Sequence, residues 1–357
     1  MTPDDRPEGQ NIKRTTDQSP EHPEHPKGPQ ILISDRQTGL PYSKGLMASQ
    51  VMVTGLSPYR SYEVAEAVEE RLLDRGLPSV TWGELSELTR AVIEEVAGER
   101  YAENYERWRQ VEALDVPVVL LIGGTTGVGK STLATQLATR LGIVRVVATD
   151  AVREVMRALF SHELMPTLHA SSFEAGVVLR EPPSKDAVIV GFREQTAAVA
   201  VGLQALLDRA AMEGTSLIIE GAHVVPGFLE PEAWQDRALV VPVVVTIEEE
   251  ETHRDHFVAR AADHAGRPAR RYLDAFDNIR RVQRYIKSQA LSHGVPVIPN
   301  YNFDRSLSAV IDLVMERATE RAAPRHGLEE ASRVSPVAGN EVAAPAGAVG
   351  ATEGGIT

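Results

Sequence analysis

The run from Gly124 to Ser131 constrains the fold of this chain more than any other feature of its sequence. It reads Gly-Thr-Thr-Gly-Val-Gly-Lys-Ser and matches the pattern Gly-x-x-x-x-Gly-Lys-Ser/Thr. The apolar run Val118 to Ile122 precedes it, and a predicted helix from Ser131 to Leu141 follows it. Glycines let the backbone curl until several N–H groups face one anion, and a helix N-terminus adds positive partial charge. A strand, this loop and a helix in that order therefore predict a phosphate-binding P-loop.

The residues of this loop are predicted to contact ATP. Lys130 is expected to reach the β- and γ-phosphates and to act in catalysis, and the Ser131 hydroxyl is expected to bind Mg²⁺. The predicted ATP-binding residues are Gly124, Thr125, Thr126, Gly127, Val128, Gly129, Lys130, Ser131 and Thr132. A glycine-rich turn that arose by chance is the alternative, and the flanking strand and helix make it the weaker interpretation.

The composition of the chain argues against some classes of binding partner. The 357 residues carry a formal net charge of -13, whereas nucleic-acid and membrane-surface proteins usually present a basic patch. The absence of cysteine excludes disulfides and cysteine nucleophiles. No apolar run approaches the ~20 residues that cross a bilayer, and the polar N-terminus has no apolar signal core. We expect a cytoplasmic protein with a small-molecule acceptor and no nucleic-acid or membrane partner, and a homo-oligomeric state stays open.

Composition also divides the chain into segments. Residues 1–29 and 322–357 are poor in large apolar side chains, and we expect both tails to be disordered because they cannot bury enough surface. Residues 30–110 predict a small, mainly helical domain with a short strand near its start. One of its helices is predicted to begin with a capping box formed by Thr81 and Glu84. Residues 111–321 predict the domain that contains the P-loop.

Continuous apolar runs alternate with helical patterns between residues 117 and 320. Such runs suit strands that are buried on both faces of a parallel sheet. The predicted strands are Val118 to Ile122, Arg145 to Ala148, Leu217 to Ile219, Val240 to Ile247 and Val295 to Ile298. Right-handed crossovers place helices on both faces, so the predicted fold class is α/β, a P-loop kinase with a five-stranded parallel sheet. No Asn-Lys-x-Asp guanine signature is present, which favours a small-molecule kinase over a GTPase.

Two carboxylates follow predicted strands. Asp150 ends the second strand, and ligands of open α/β sheets bind at the carboxyl ends of strands. It is a candidate catalytic residue that orients the acceptor hydroxyl or takes its proton, although a helix N-cap would also explain an aspartate there. Glu220 ends the third strand, where an acidic residue would hold Mg²⁺, and a surface carboxylate is the alternative. His223 is as easily a structural histidine as a site residue.

Two arginines near these acids suit a negatively charged acceptor. Arg153 and Arg157 are four residues apart and share one face of a predicted helix. Two guanidinium groups on one face could bind phosphate or carboxylate groups of the acceptor. A solvated helix face, with Glu154 nearby, is the alternative.

A basic stretch follows the fourth predicted strand. Between residues 253 and 287 the chain carries nine Arg or Lys and four Asp, a local excess of five positive charges in an acidic protein. The position and charge predict a lid that closes over the phosphates, with Arg254 and Arg260 as catalytic candidates. Further candidates in this lid are Arg267, Arg270 and Arg271. A solvated helical face is the alternative for any one of them.

Several segments together resemble the 2-phosphoglycerate kinases, which are described mainly in archaea. They are Ile-Gly-Gly-Thr-Thr-Gly-Val-Gly-Lys-Ser-Thr at 122–132, Thr-Asp-Ala-Val-Arg-Glu-Val-Met-Arg at 149–157, Leu-Met-Pro-Thr-Leu-His-Ala-Ser-Ser-Phe-Glu-Ala at 164–175 and Ile-Glu-Gly-Ala-His at 219–223. The third segment is the most specific, because P-loops are common to many families. Near the N-terminus, Pro-Tyr-Ser-Lys-Gly-Leu at 41–46 resembles an ATP-cone domain. The resemblance covers about residues 31–315.

The resemblance implies transfer of the γ-phosphoryl group of ATP to the 3-hydroxyl of 2-phosphoglycerate, which gives 2,3-bisphosphoglycerate. It also implies that His169, Ser171 and Ser172 bind the acceptor, while a serine-rich loop that caps the next helix is the alternative. Two other functions stay open at this stage: a kinase for another small anionic metabolite, and a regulatory protein that binds ATP without significant turnover. The arginine-rich lid argues against the regulatory protein, since a sensor needs no transition-state clamp.

Overall fold

The structure is a computed structural model and describes residues 31–35, 38–76, 78–181, 186–263 and 269–322. The two predicted tails lie outside the described residues, apart from Ala322. Among the described residues, no helix has both the length and the apolar character needed to cross a membrane.

The N-terminal part contains a small sheet and four α-helices within the described residues. Its strands are β1 (Leu32–Asp35), β2 (Thr38–Pro41) and β3 (Ser79–Thr81). Its helices are α1 (Lys44–Val51), α2 (Pro58–Asp74), α3 (Trp82–Ala97) and α4 (Glu99–Glu112). β1 lies in the centre of the sheet, antiparallel to β2 and parallel to β3. The sequence predicted the first strand and the helical character but neither of the other two strands.

The predicted capping box at the start of α3 is present. The Glu84 backbone N–H donates to the Thr81 hydroxyl at 3.2 Å, and the Glu84 carboxylate accepts from the Thr81 backbone N–H at 2.9 Å. These two bonds satisfy backbone donors that the first turn of a helix leaves unpaired. The bonds that the Glu84 carboxylate accepts from the Thr81 backbone N–H and from the Thr81 hydroxyl lower the pKa of Glu84.

The second part is an α/β layer structure. Its strands are β4 (Val118–Gly123), β5 (Val146–Ala148), β6 (Leu217–Gly221), β7 (Leu239–Thr246) and β8 (Val297–Pro299). Its helices are α5 (Lys130–Arg140), α6 (Thr149–Leu159), α7 (Ala187–Glu213), α8 (Glu250–Asp263), α9 (Ala269–Asp274), α10 (Phe276–Ser292) and α11 (Phe303–Ala322). The strands form one five-stranded parallel sheet in the order β5-β6-β4-β7-β8. The predicted fold class is confirmed.

The central strand β4 is buried on both faces, as its continuous apolar run predicted. Leu120 and Ile122 pack with residues of α5 and α11 on one face. Val119 and Leu121 pack with residues of α7 on the other face. Helices therefore cover both sides of the sheet, and the P-loop follows directly from the most protected strand.

Helix α4 joins the two parts of the molecule. Trp108 and Val111, in its last turns, are buried in the same apolar cluster as β4 and α11, and Val53 joins them. Arg140, at the end of α5, donates from Nη1 to the Met52 carbonyl at 3.2 Å. The domain boundary at residue 110 stays a prediction, and α4 runs across it.

Candidate active site

The P-loop lies between β4 and α5 and is fitted tightly against its neighbours. Gly124, Gly127 and Gly129 all have positive φ values, 139°, 87° and 87°. A Cβ atom on Gly124 would lie 2.3 Å from the Val245 carbonyl oxygen, and one on Gly129 would lie 2.5 Å from the Asn300 side chain. Only glycine therefore satisfies both the backbone conformation and the space at these two positions.

Lys130, at the end of the P-loop, bonds back to the start of the loop. Its side chain is buried, and Nζ donates to the Thr125 carbonyl at 2.8 Å. The ammonium group is thus held beside the loop, where the phosphates of a nucleotide would lie. The role of Lys130 in binding phosphate and in catalysis stays a prediction from the motif.

The two predicted metal-binding residues lie together. The parallel register pairs Ile122 of β4 with Glu220 of β6, and the Ser131 hydroxyl donates to Glu220 Oε1 at 2.8 Å. Glu220 is buried, at 7% exposure, so it is not the surface carboxylate that was the alternative. Hydroxyl and carboxylate oxygens are the donors that Mg²⁺ prefers, so the pair fits this ion. The described residues hold no cluster of three or more metal-binding side chains, so phosphate and water oxygens would complete the coordination.

Two histidines of α8 support the loop from the other side. His253 Nε2 donates to the Thr126 carbonyl at 2.9 Å, and His256 Nδ1 donates to the Gly127 carbonyl at 3.0 Å. Phe257 packs so close to Gly127 that a Cβ atom there would lie 2.5 Å from its ring. These residues were not predicted from the sequence. Their spacing of three on one helix was the available signal, but it does not identify the loop that they contact.

His253 is neutral near pH 7. Burial lowers its pKa to about 4, with the nearby Arg280 guanidinium as a further cause. Since a carbonyl oxygen only accepts, Nε2 carries the proton, and Nδ1 faces Arg280 Nη1 at 3.4 Å. Arg280 is itself fixed by donating to the Ile247 and Glu248 carbonyls, at 2.6 Å each.

Asn300 supports the loop at the end of β8. Its Nδ2 donates to the Val128 carbonyl at 3.0 Å, while its buried Oδ1 has no hydrogen-bond partner among the described residues. Three consecutive loop carbonyls, of Thr126, Gly127 and Val128, are thus tied to side chains from distant parts of the chain. These bonds occupy three carbonyls of the loop, and the N–H groups of the loop are the donors that would bind an anion.

A cleft of about 1030 Å³ joins the P-loop to the acceptor side. Its lining includes Lys130, Ser131, Thr132, Asp150, Arg153, Ser171, Ser172, Glu220 and Arg271. Asp150 lies in the first turn of α6 and lines the same cleft as the P-loop, and its carboxylate is largely exposed. Arg153 Nε lies 3.6 Å from Asp150 Oδ1.

The structure separates the two arginines of α6. Arg153 is nearly buried, lines the cleft, and donates to the carbonyls of Leu168 and Ala170 at 2.9 and 3.1 Å. Arg157 is about half exposed, pairs with Glu154 at 2.6 Å, and is not among the described residues that line the cleft. Glu154 also pairs with Arg153 at 2.7 Å.

The three predicted acceptor-loop residues have different positions. Ser171 and Ser172 line the cleft, and the Ser171 hydroxyl accepts from Arg271 Nη2 at 2.7 Å. His169 Nε2 instead donates to the Phe160 carbonyl at 2.9 Å and ties the loop to the end of α6. Among the described residues His169 does not line the cleft.

The predicted lid arginines also differ in position, and the described ones make different contacts. The Arg254 guanidinium stacks over the Phe276 ring at 3.8 Å, and Arg270 pairs with Asp274 at 3.7 Å on the surface. Arg271, held by Glu174 at 2.6 Å, is the lid arginine that lines the cleft within the described part of the chain. The side chain of Arg260, like the whole of Arg267, lies outside the described residues.

The P-loop on the central strand of this sheet, with a carboxylate on the next strand bonded to its serine, defines the class: the chain is a P-loop kinase. No protein-family model matches it. A shikimate kinase from Acinetobacter baumannii matches over 58% of this chain and 97% of its own, with 16% identity and a TM-score of 0.33. A score this low does not establish a shared fold, so the fold assignment rests on the strand order.

Curated relatives specify the family. A 2-phosphoglycerate kinase from Methanopyrus kandleri is 37% identical over 292 residues, covering 82% of this chain and 89% of the relative. Relatives of the same name from Thermococcus kodakarensis and Methanothermobacter thermautotrophicus are each 38% identical; they cover 80% and 78% of this chain, and 97% and 92% of their own lengths. The chain belongs to the 2-phosphoglycerate kinase family, which confirms the resemblance found in its motifs.

Proposed function

We propose that this chain transfers the γ-phosphoryl group of ATP to the 3-hydroxyl of 2-phosphoglycerate and releases ADP and 2,3-bisphosphoglycerate. The observation that carries the proposal is the single cleft that joins the P-loop to Asp150, Arg153 and Arg271. The names of the curated relatives point to the same acceptor.

The nucleotide side of the proposal rests on the P-loop. Its backbone N–H groups and the start of α5 would bind the β- and γ-phosphates, and Lys130 would move from the Thr125 carbonyl to a phosphate oxygen. Ser131 and Glu220 would hold Mg²⁺, which supplies positive charge between the phosphates when it is bound. Because both residues already lie together, binding needs no movement of the sheet.

The acceptor side of the proposal rests on the match between the negative charge of 2-phosphoglycerate and the arginines of the cleft. 2-Phosphoglycerate carries a phosphate and a carboxylate, and these groups would repel ATP in a partly dry cleft unless cations met them. Arg153 and Arg271 are the cleft arginines of the described residues, and each can bind an oxyanion with two N–H groups. Ser171 and Ser172 add hydroxyl donors beside them. Arg157 and His169 stay predicted acceptor residues.

Asp150 is proposed to work on the acceptor hydroxyl. It lines the same cleft as the P-loop and lies 3.6 Å from Arg153 Nε, so a hydroxyl oriented toward the γ-phosphate would be within its reach. The carboxylate would fix the direction of that hydroxyl and take its proton as the new phosphorus–oxygen bond forms. The departing oxygen stays on ADP, so no other co-reactant is needed.

A panel of acceptors tests this function. ADP release is measured with 2-phosphoglycerate, 3-phosphoglycerate, glycerate, shikimate and nucleoside monophosphates at equal concentration, with Mg-ATP in excess. The proposal expects 2-phosphoglycerate to give the highest kcat/KM. A higher value with a neutral acceptor or a nucleotide would retain the kinase class and overturn the acceptor. ADP release that no acceptor stimulates would favour the regulatory alternative.

A further inference from the structure

A buried chain of hydrogen bonds connects the start of α6 with the acceptor loop, defined here as residues 166–172. The Thr149 hydroxyl bonds to His223 Nδ1 at 3.0 Å, and His223 Nε2 bonds to the Gln195 amide oxygen at 2.9 Å. Gln195 Nε2 then reaches the carbonyl oxygens of Thr167 and Ala170, the second at 2.9 Å. We call these three side chains the relay. They come from α6, from α7 and from the turn after β6.

The direction of every bond in the relay follows from its acceptor end. The carbonyl oxygens of Thr167 and Ala170 can only accept, so they use both N–H groups of the Gln195 amide. The Gln195 oxygen must then accept from His223 Nε2–H, and His223 Nδ1 must accept from the Thr149 hydroxyl. One histidine tautomer satisfies all the partners.

The surroundings of the relay favour this neutral tautomer. Thr149, Gln195 and His223 are all fully buried. Burial lowers the pKa of His223 to about 4, against the opposing influence of the Asp150 carboxylate, while the charges of Arg153 and Lys130 lower it further. Phe192 stacks on the histidine ring with centroids 6.4 Å apart.

The two ends of the relay lie at functional parts of the cleft. Thr149 directly precedes Asp150, and a Cβ atom on Gly221, the residue after Glu220, would lie 1.8 Å from the Thr149 hydroxyl. At the other end, Gln195 and Arg153 share the Ala170 carbonyl, which directly precedes Ser171. The relay therefore joins the segments that carry Asp150 and Glu220 to the loop that carries the two cleft serines.

We propose that Gln195 and His223 are positioning residues. They do not touch the acceptor, but they orient it by holding the acceptor loop in place. Gln195, oriented by His223, holds the Thr167 and Ala170 carbonyls of the loop in place, so that Ser171, Ser172 and Arg153 face the P-loop at a fixed distance. Neither residue lines the cleft among the described residues, and neither contacts the P-loop through any bond described above. The proposal rests on the proposed function, because it assumes that the loop binds the acceptor.

Substitutions at the two relay positions test the proposal. Gln195→Leu removes the donors to both loop carbonyls, and His223→Gln retains an N–H that can reach Gln195 but loses the acceptor for Thr149. The matched control is Thr196→Val, which removes a buried hydrogen bond to the Phe192 carbonyl in the same helix but lies outside the relay. Initial rates give KM for 2-phosphoglycerate, KM for ATP and kcat, and titration calorimetry gives the Kd for ATP.

The expected result is a selective loss of acceptor binding. Gln195→Leu should raise KM for 2-phosphoglycerate about tenfold or more, because two buried carbonyls lose a donor. KM and Kd for ATP should stay within about twofold, His223→Gln should give a smaller rise, and Thr196→Val should resemble the wild type. Equal changes in the constants for ATP and the acceptor, or the same pattern in Thr196→Val, would overturn the proposal.

Hydrogen exchange keeps this test independent of the acceptor. Amide exchange in the acceptor loop should accelerate in Gln195→Leu and not in Thr196→Val, whereas exchange in the P-loop should not change. Unchanged loop exchange in Gln195→Leu overturns the positioning role even if another acceptor replaces 2-phosphoglycerate. If the wild type phosphorylates a different acceptor, the proposed function fails, and the KM comparison is then made with that acceptor.

Discussion

Glu220 and Ser131 are 89 residues apart in the sequence, and the register of β4 and β6 brings their side-chain oxygens to 2.8 Å. Both residues were predicted to lie at this site, Ser131 from the P-loop motif and Glu220 from its position at the end of a predicted strand. Asn300, His253 and His256 were not predicted, although each bonds to the P-loop. They are 172, 127 and 129 residues from their loop partners, and no local pattern indicates contacts at that separation.

Glu220→Gln tests the metal assignment at the level of one charge. Glutamine keeps an oxygen that accepts from the Ser131 hydroxyl, so the packing is retained while the negative charge is removed. The Mg²⁺ concentration that gives half-maximal activity should rise about 10- to 100-fold, the range typical for lost partners of a metal site. Rates are measured in a Mg²⁺ titration at fixed ATP. The control is Glu213→Gln, which changes a surface ion pair with Arg145 and should not shift the Mg²⁺ titration. If Glu220→Gln does not shift the titration either, Glu220 does not bind the metal and its role is structural.

Arg153→Ala and Arg157→Ala form a natural pair of variants. The sequence grouped the two residues by their spacing, whereas only Arg153 lines the cleft among the described residues. Arg153→Ala should raise KM for 2-phosphoglycerate by a factor equivalent to about 2–5 kcal/mol, the usual cost of leaving a buried charge unpaired. Arg157→Ala should change it by less than about threefold, because an exposed ion pair contributes little. KM for ATP is the internal control, and equal effects of the two variants on the acceptor would contradict the placement.

At the scale of secondary structure, the strands most readily predicted from the sequence were those buried on both faces of the sheet. The five strands of the parallel sheet were predicted within two residues at each end, since strands such as β4 and β6 are buried on both faces and appear as continuous apolar runs. β2 and β3 have four and three residues, and neither shows such a run. The lid was predicted from its position after the fourth strand and from its charge. Neither feature distinguishes Arg271, which lines the cleft, from Arg254, which stacks on Phe276.

Helix α8 makes the stability of the protein depend on pH through His253. The folded-state pKa is about 4 and the usual value is 6.5, so the unfolded chain binds the proton more tightly between these values. The contribution of His253 is complete above pH 6.5 and is lost as the pH falls toward 4. At pH 5 this histidine should reduce the free energy of unfolding by about 2 kcal/mol relative to pH 7.

Urea unfolding at pH 7 and pH 5 measures this effect. His253→Gln retains a donor for the Thr126 carbonyl but does not titrate, so its loss of stability between the two pH values should be smaller than that of the wild type by about 2 kcal/mol. Thr196→Val, which carries no titrating group, should keep the pH dependence of the wild type. The same dependence in His253→Gln as in the wild type would show that the histidine is not held neutral by burial.

At the scale of the whole molecule, the parallel sheet and the N-terminal part are joined by packing. Trp108 and Val111 of α4 lie in the core cluster of β4 and α11, and the Arg140–Met52 bond adds a polar contact. The sequence suggested separate domains because the composition changes near residue 110, but it could not show that one helix serves both sides of that position. The ATP-cone-like character of residues 30–110 stays a prediction.

The fold brings the P-loop and the acceptor side together in one cleft, and the cleft is proposed to perform a single phosphoryl transfer. The P-loop, Asp150 and the cleft arginines are proposed to transfer a phosphoryl group to the 3-hydroxyl of an already phosphorylated acid. A reaction of this kind leaves two phosphate esters on one three-carbon acceptor, which distinguishes it from ATP hydrolysis and from transfer to the carboxylate.

Phosphorus NMR of the reaction mixture tests the claim most directly. The protein is incubated with Mg-ATP and 2-phosphoglycerate, and the products are followed in one tube. We expect ADP and a product with two phosphomonoester signals, at carbons 2 and 3, to appear in equal amounts. Inorganic phosphate as the product formed with ADP, or an acyl phosphate signal with the 3-hydroxyl unmodified, would contradict it.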